Sequence, residues 1–122
     1  LVNSCTGYKS ANLLATISKG GRTNVAVFNS VTHIGSNPPM IGFILRPTTV
    51  PRNTYKNIRE TGVFTVNHIN KNMIEQAHQT AAKYDEKTSE FLETGLEEEY
   101  LHAFDAPYVK QSLIKMGCRY LN

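Results

Sequence analysis

The sequence predicts a mainly β domain, a small antiparallel barrel with helical insertions. Three observations lead to this prediction. Five segments have strand-like patterns, glycine and proline residues separate them, and few stretches have helical periodicity. This order does not fit the regular alternation of strands and helices in a parallel sheet. The 122 residues, 40% of them hydrophobic, suffice for one domain with its own core.

The first two predicted strands form a hairpin. They cover residues 13–18 and 23–29, and a glycine-rich turn joins them. Val25 and Val27 alternate with Phe28 and its neighbours, which is typical of a strand with two different faces. We therefore expect the hairpin to separate two unlike environments.

A third strand is predicted after Pro38 and Pro39, over residues 40–45. This run is nearly all apolar, which indicates burial on both faces of the strand. The polar residues before the prolines are expected to form a connecting loop.

A short helix and a fourth strand follow. Asn53 or Thr54 can cap the helix, which is predicted to run through Glu60 and to stop at Gly62. Residues 63–67 then have the β-branched and aromatic character of a strand.

A second helix is predicted to begin at Asn70, because apolar side chains recur at helical spacing. Those side chains are Met73, Ile74, Ala77, Ala81 and Tyr84. Residues 85–106 are acidic and loop-like, with a helical turn over 89–93. Alternation between residues 114 and 120 predicts a fifth, half-buried strand.

Composition and motifs exclude several classes of function. Thirteen Lys and Arg against ten Asp and Glu give a net charge of +3, which is too small to imply a polyanionic partner such as DNA but suits a small anionic ligand. No membrane-spanning run, leader, phosphate-binding glycine motif, nucleophile elbow or metal-ligand spacing is present in the sequence. We predict no metal site, and no partner among nucleic acids or membranes.

Cys5 and Cys118 lie near opposite ends of the chain without metal-ligand spacing. We interpret them as reduced thiols of a cytoplasmic protein, and a disulfide between them stays an open alternative.

Two segments have the chemistry of a binding site. Residues 29–43 place Ser30, Thr32 and other small polar side chains at a bend after a strand, where they can face the polar edge of a ligand. Residues 46–54 combine two arginines, three threonines and a helix N-terminus, which suits a dianionic phosphate. The alternatives are a polar connecting loop and a proline-stiffened surface loop with solvated arginines.

In their order and amino-acid sequence, these segments resemble those of the flavin reductase-like family. This family comprises the FMN-binding split barrels and includes flavoredoxins and flavoprotein oxygenase-like proteins. The resemblance is carried by Asn29-Ser30-Val31-Thr32, Asn37-Pro38-Pro39 and Thr54…Asn57-Ile58…Thr61-Gly62-Val63-Phe64-Thr65-Val66-Asn67. It covers most of the chain and is diffuse after Val66. It implies an antiparallel Greek-key split β-barrel.

The resemblance also implies a cofactor site. The residues that would line the flavin ring and ribityl chain are Asn29, Ser30, Val31 and Thr32. Those that would surround the phosphate are Arg46, Thr48, Arg52, Asn53 and Thr54. FMN would take hydride from NADH or NADPH, so no catalytic side chain is expected, and the site would lie in a homodimer interface.

Family members run longer than this chain, so we expect residues 1–122 to be a single flavin reductase-like domain and a fragment of a longer protein. The last strand would then leave an edge where the barrel should close, at its C-terminal end.

Three alternative functions stay open. One is a flavin-binding electron carrier, flavoredoxin-like, without NAD(P)H activity. Another is a folded remnant that binds nothing. The third is a small basic barrel that binds nucleic acid through scattered cations, namely Lys9, Lys19, Arg22, Lys56 and Arg59.

Overall fold

The computed structural model describes residues 5, 7–45, 53–80 and 90–121, which form a mainly β fold with short helices, as predicted. The strands are β1 (Asn12–Ile17), β2 (Thr23–Phe28), β3 (Thr32–Ser36), β4 (Pro39–Gly42), β5 (Val63–His68), β6 (Glu98–Glu99), β7 (Tyr108–Val109) and β8 (Lys115–Arg119). The α-helices are α1 (Asn53–Thr61), α2 (Ile74–Gln79) and α3 (Glu90–Thr94). None of these helices has the length and apolar character needed to cross a membrane.

The central sheet has the strand order β2-β1-β5-β8, and every neighbouring pair is antiparallel. β3 and β4 form a separate two-stranded ribbon, and β6 and β7 form another. Across the described ranges, the strands therefore do not close into one continuous barrel.

The predicted β1–β2 hairpin is confirmed. Ile17 pairs with Thr23, and the Ser18 amide donates to the Arg22 carbonyl at 2.8 Å across the turn. Gly21 occupies a position with φ +85°, which favours glycine. The hairpin supplies two of the four strands of the central sheet.

The sheet is apolar on both faces, and two separate clusters cover it. The first core contains Leu13, Ala15, Val25, Met73, Ala77, Phe91, Leu96 and Val109. The second core contains Leu14, Phe28, Ile58, Phe64 and Val66, with Ala26, Val31, Ile41, Phe43, Leu45 and Cys118 packed against it. Valines at odd positions of β2 belong to the first core and Phe28 to the second, which confirms the two-faced strand.

The prediction for residues 30–45 is wrong in two respects. Residues 32–36, expected to be loop, form β3 and pair with β4. The apolar run 40–45 is not buried on both faces: β4 ends at Gly42, and Ile44 is 70% exposed. The reason is that the ribbon packs only one side against the second core, through residues such as Ile41 and Phe43.

Helix α1 ends as predicted. The Gly62 amide donates to the Ile58 carbonyl at 2.8 Å, and Gly62 has φ +75°. A left-handed residue at this position is the usual stop for a helix. Ile58 packs into the second core, so α1 covers the same face of the sheet as the β3–β4 ribbon.

The predicted second helix differs from the structure at its start. The Asn70 side chain does not cap the helix; its side-chain amide instead donates to the Gln111 backbone carbonyl. A 3-10 turn at Lys71–Met73 precedes α2. Met73 and Ala77 are buried as expected, but Ile74 is 58% exposed because the first core lies on the other side of the helix. The predicted contributors Ala81 and Tyr84 lie outside the described residues.

The acidic segment after α2 contains more structure than expected. The predicted turn over 89–93 is present as α3, and Glu98–Glu99 pairs with Tyr108–Val109. Strands of two residues leave no readable alternation in a sequence. The Glu99 carboxylate accepts from the Lys115 ammonium at 2.7 Å, so this acidic run is partly ion-paired.

β8 confirms the position of the predicted fifth strand, and it pairs with β5. The predicted half-buried alternation is wrong: Cys118 packs against the second core, but Ile114, Met116 and Tyr120 are exposed, because β8 is the edge strand of the sheet. Gly117 permits close packing on the opposite face. A Cβ there would lie 2.5 Å from the Tyr108 hydroxyl oxygen, so a larger residue would displace the ring.

Asn67 bonds β5 to two of its neighbours, and its removal is expected to destabilise the fold. Its buried amide nitrogen donates to the Leu13 carbonyl at 3.1 Å, and its oxygen accepts from the Val109 amide at 3.0 Å. Asn67→Ala leaves both backbone groups without these bonds, at an expected cost of roughly 2–4 kcal/mol in urea unfolding. The exposed neighbour provides the control, since His68→Ala should change stability by less than about 0.5 kcal/mol. Equal unfolding midpoints for the two variants would contradict this role.

Candidate functional site

The first predicted binding segment lies where the chain leaves β2. Asn29 and Thr32 are exposed, and Val31 packs against the second core. The Ser30 hydroxyl accepts from the Ile44 amide at 3.0 Å and is 3.2 Å from the Ile44 carbonyl, to which it donates. These bonds hold the loop after β2 beside the residues that follow β4.

The second predicted segment leads into α1. Thr54 is only 4% exposed, and its hydroxyl oxygen accepts from the Asn24 side-chain amide at 3.0 Å. One turn later, the Asn57 amide donates to the Thr16 hydroxyl at 3.0 Å. The start of α1 is thus bonded to the β1–β2 hairpin at two buried points.

Three predicted phosphate ligands, Arg46, Thr48 and Arg52, lie outside the described residues. The backbone of Asn53 is described and begins α1. Residues close to both ends of the interval 46–52 are hydrogen-bonded to β2 or to the loop after it. Ile44 bonds to Ser30, and Thr54 bonds to Asn24.

The described parts of the two predicted segments lie towards opposite ends of β2. Asn24, which bonds to Thr54, and Phe28, after which the first segment begins, are four strand positions apart, which corresponds to about 13 Å. The arrangement therefore provides two polar regions at opposite ends of β2, with residues 45–53 connecting them in sequence. Such a separation suits an elongated ligand with a polar group at each end.

Sequence reasoning missed Asn24, Thr16 and Asn57 as contributors to this region. The one available signal was Asn24 itself, because asparagine is depleted inside strands. Its partner is 30 positions away along the chain, so no local pattern indicates the pairing.

An apolar cleft of about 580 Å³ lies on the second-core side of the sheet. Its lining includes Ile34, Ile41, Phe43, Phe64, Cys118 and Tyr120, with the side chains of Arg59 and Arg119 also present. The Phe43 ring meets the Phe28 and Phe64 rings edge-on at 5.4 Å each. Among the predicted flavin contacts whose side chains the structure describes, namely residues 29–32 and Thr54, none is part of this lining.

Cys118, in this cleft, is protected by its environment. Burial raises the pKa of the Cys118 thiol from its ordinary value of 9.0 to about 11, because desolvation disfavours the thiolate. The structure has no disulfide between Cys118 and Cys5. Cys118 is therefore a packing residue and a poor nucleophile.

This environment predicts slow alkylation of Cys118. With a pKa raised to about 11, its thiolate at pH 8 should be about a hundredfold less populated than for an ordinary thiol. In a Cys5→Ser variant, the reaction with iodoacetamide should keep accelerating as the pH rises above 9. Cys118→Ser leaves only exposed Cys5 as the comparison. A rate for Cys118 that levels off near pH 9 would contradict the burial argument.

Comparisons with known proteins agree with this architecture. Residues 7–122 match the family described as flavin reductase like domain. A solved split barrel protein from Shewanella frigidimarina NCIMB 400, provisionally assigned as a flavin reductase, is 49% identical with a TM-score of 0.95, covering 99% of this chain and 60% of that one. Flavoredoxin of Desulfovibrio vulgaris (Miyazaki F) is 24% identical with a TM-score of 0.83, covering 93% of this chain and 61% of its own, and this likeness shows the fold alone.

Among curated relatives, an uncharacterized protein of Aquifex aeolicus (strain VF5) is 29% identical over 108 residues, which is 87% of this chain and 55% of the relative. The chain spans about half the length of the curated relatives it matches. The family match covers nearly the whole chain, and the resemblance drawn from the sequence is confirmed. With its antiparallel sheets and split-barrel neighbours, the chain belongs to the flavin reductase-like domain family.

Proposed function

We propose that this domain binds FMN and belongs to a protein that transfers hydride from NADH or NADPH to the bound flavin. The observation that carries the proposal is the family match over residues 7–122. The described polar groups suit FMN in their chemistry. Exposed amide and hydroxyl groups follow β2, and a nine-residue helix begins directly after the arginine-containing segment in the sequence.

At the ring end, the proposed contacts are Asn29, Ser30, Val31 and Thr32. The exposed side chains of Asn29 and Thr32 are accessible to the polar edge of a flavin. The Ser30 hydroxyl is engaged by the backbone of Ile44, so its contribution would be to fix the shape of the loop. A fixed loop presents its backbone N–H groups without reorganisation when the ligand binds.

At the phosphate end, the proposed contacts are Arg46, Thr48, Arg52, Asn53 and Thr54. Arginine recognises a phosphate through two parallel charge-assisted hydrogen bonds, and a helix N-terminus adds unpaired backbone N–H groups. Thr54 is buried between the start of α1 and the β1–β2 hairpin, and its hydroxyl accepts from Asn24, so it would hold the helix start in place.

The mechanism asks little of the side chains. When bound, FMN supplies the hydride acceptor itself, so the protein needs no acid–base pair or nucleophile. The chain has to hold the ring with one face open, so that a nicotinamide can stack at about 3–3.5 Å. Donors along the loop after β2 would stabilise the charge that develops on the ring edge.

We further propose a cytoplasmic homodimer, within a longer protein, with the flavin between two copies. Membership of the family supports the dimer, because the resemblance implies a flavin site between two copies. The longer protein is supported by the matched relatives, of whose length this chain covers only 55–60%. The apolar cleft also supports an assembled form, because Ile34 and Leu121 there are 61% and 69% exposed and need a cover.

FMN fluorescence titration followed by NADH and NADPH oxidation assays tests the function. We expect saturable quenching of FMN, oxidation of one or both nucleotides that depends on added FMN, and a flavin-loaded species of twice the chain mass in light scattering. FMN binding without any oxidation would contradict the reductase proposal and favour an electron carrier. Unchanged FMN fluorescence would contradict flavin binding.

Arg52 provides a test of the phosphate end. Arg52→Ala should weaken FMN binding by roughly 1–3 kcal/mol, because one charge-assisted contact is lost. Arg22→Ala, in the exposed turn between β1 and β2, removes the same charge elsewhere and should leave the affinity unchanged. If both variants bind FMN like the unmodified chain, Arg52 is a solvated surface residue.

A further inference from the structure

Asn24 is an unusual residue for its place in the fold. It lies inside β2, is 4% exposed and pairs in register with Thr16 of β1. Asparagine is disfavoured in strands, and burying its amide is costly unless the amide is hydrogen-bonded. The hydrogen bond from Asn24 to Thr54 therefore reduces the cost of burying this amide.

Asn24 is half of a paired arrangement. Thr54 and Asn57 are three positions apart and share one face of α1, and their partners Asn24 and Thr16 are cross-strand neighbours. In one bond the strand supplies the amide and the helix the hydroxyl; in the other the roles are exchanged. Both bonds measure 3.0 Å. Two such points fix both the rotation of the helix and its position along its axis.

The two bonds differ in their distance from the helix start. Thr54 is the second residue of α1, whereas Asn57 is one turn further on. The first-turn backbone N–H groups, which have no partner within the helix, lie around Thr54. The Asn24–Thr54 bond therefore controls the position of these donors more directly than the Asn57–Thr16 bond does.

We propose that Asn24 is a positioning residue for the phosphate end of the flavin site, acting through the Thr54 hydroxyl. This inference rests on the proposed function. Asn24 itself does not touch the ligand; it sets where the first turn of α1 lies relative to the β1–β2 hairpin. Asn57 serves mainly the stability of the same helix–hairpin contact.

Comparison of FMN with riboflavin separates positioning from stability. The two flavins share the ring and the ribityl chain, and riboflavin lacks the phosphate. We expect the unmodified chain to prefer FMN, and Asn24→Ala to weaken FMN binding about tenfold while changing riboflavin binding less than about twofold. Asn57→Ala, the matched control, should lower the unfolding midpoint by a similar amount and leave the FMN-to-riboflavin affinity ratio unchanged.

Asn24→Thr keeps the test available if the alanine variant does not fold. Threonine suits a strand and is similar in volume, but it cannot reach Thr54 with an amide donor. A collapsed affinity ratio in either Asn24 variant supports the proposal. Two results would overturn the positioning role of Asn24 and leave the proposed function standing. One is flavin binding by the Asn24 variants with an unchanged FMN-to-riboflavin affinity ratio, and the other is an equal loss of that ratio in Asn57→Ala. Failure of the unmodified chain to bind either flavin overturns the proposed function and this inference with it.

Discussion

Burial of the central sheet on both faces is the constraint on which the rest of this structure depends. Leu13 and Leu14 are adjacent in β1, are both fully buried, and belong to different cores. A strand of this kind needs a covering layer on each side, because each face exposes apolar area to water otherwise. Residues of α2, α3 and β7 cover one face, and α1 with the β3–β4 ribbon covers the other.

This requirement also explains where α1 lies. On the second face, β1 and β2 are apolar at Leu14 and Phe28, and they become polar at Thr16 and Asn24 towards their turn. A helix placed across both regions needs an apolar residue for one and hydrogen-bonding groups for the other. α1 meets this with Ile58 in the core and the Thr54–Asn57 pair on the polar end. Packing and site geometry are thus consequences of the same contact.

The sequence predicted those parts of the fold that local patterns specify. The positions of the β1–β2 hairpin, of α1 with its stop at Gly62, of β5 and of β8 follow from strand-like composition and from turn and stop residues. The prediction that residues 40–45 are buried on both faces was wrong, because composition does not show which side of an apolar strand packs against another element. The pairs β6–β7 and β3–β4 were missed because they depend on contacts formed only after the sheet is assembled.

The candidate site is proposed from the sequence in outline and not in detail. Residues 29–32 and 46–54 are proposed because their sequence and order carry the family resemblance. The bond beneath them was not identified, because Asn24 and Thr54 are 30 positions apart and Asn24 belongs to no local motif. Long-range pairs of single polar residues become visible only when the strands and helix are placed together.

The central claim is that this domain holds FMN, and recovery of bound flavin tests it most directly. The 122-residue chain would be incubated with an equimolar mixture of FMN and riboflavin, separated from free ligand, denatured, and its released flavin identified by chromatography. We expect FMN to be recovered in proportion to protein and riboflavin to be largely excluded. Recovery of neither flavin, or of both equally, would contradict it.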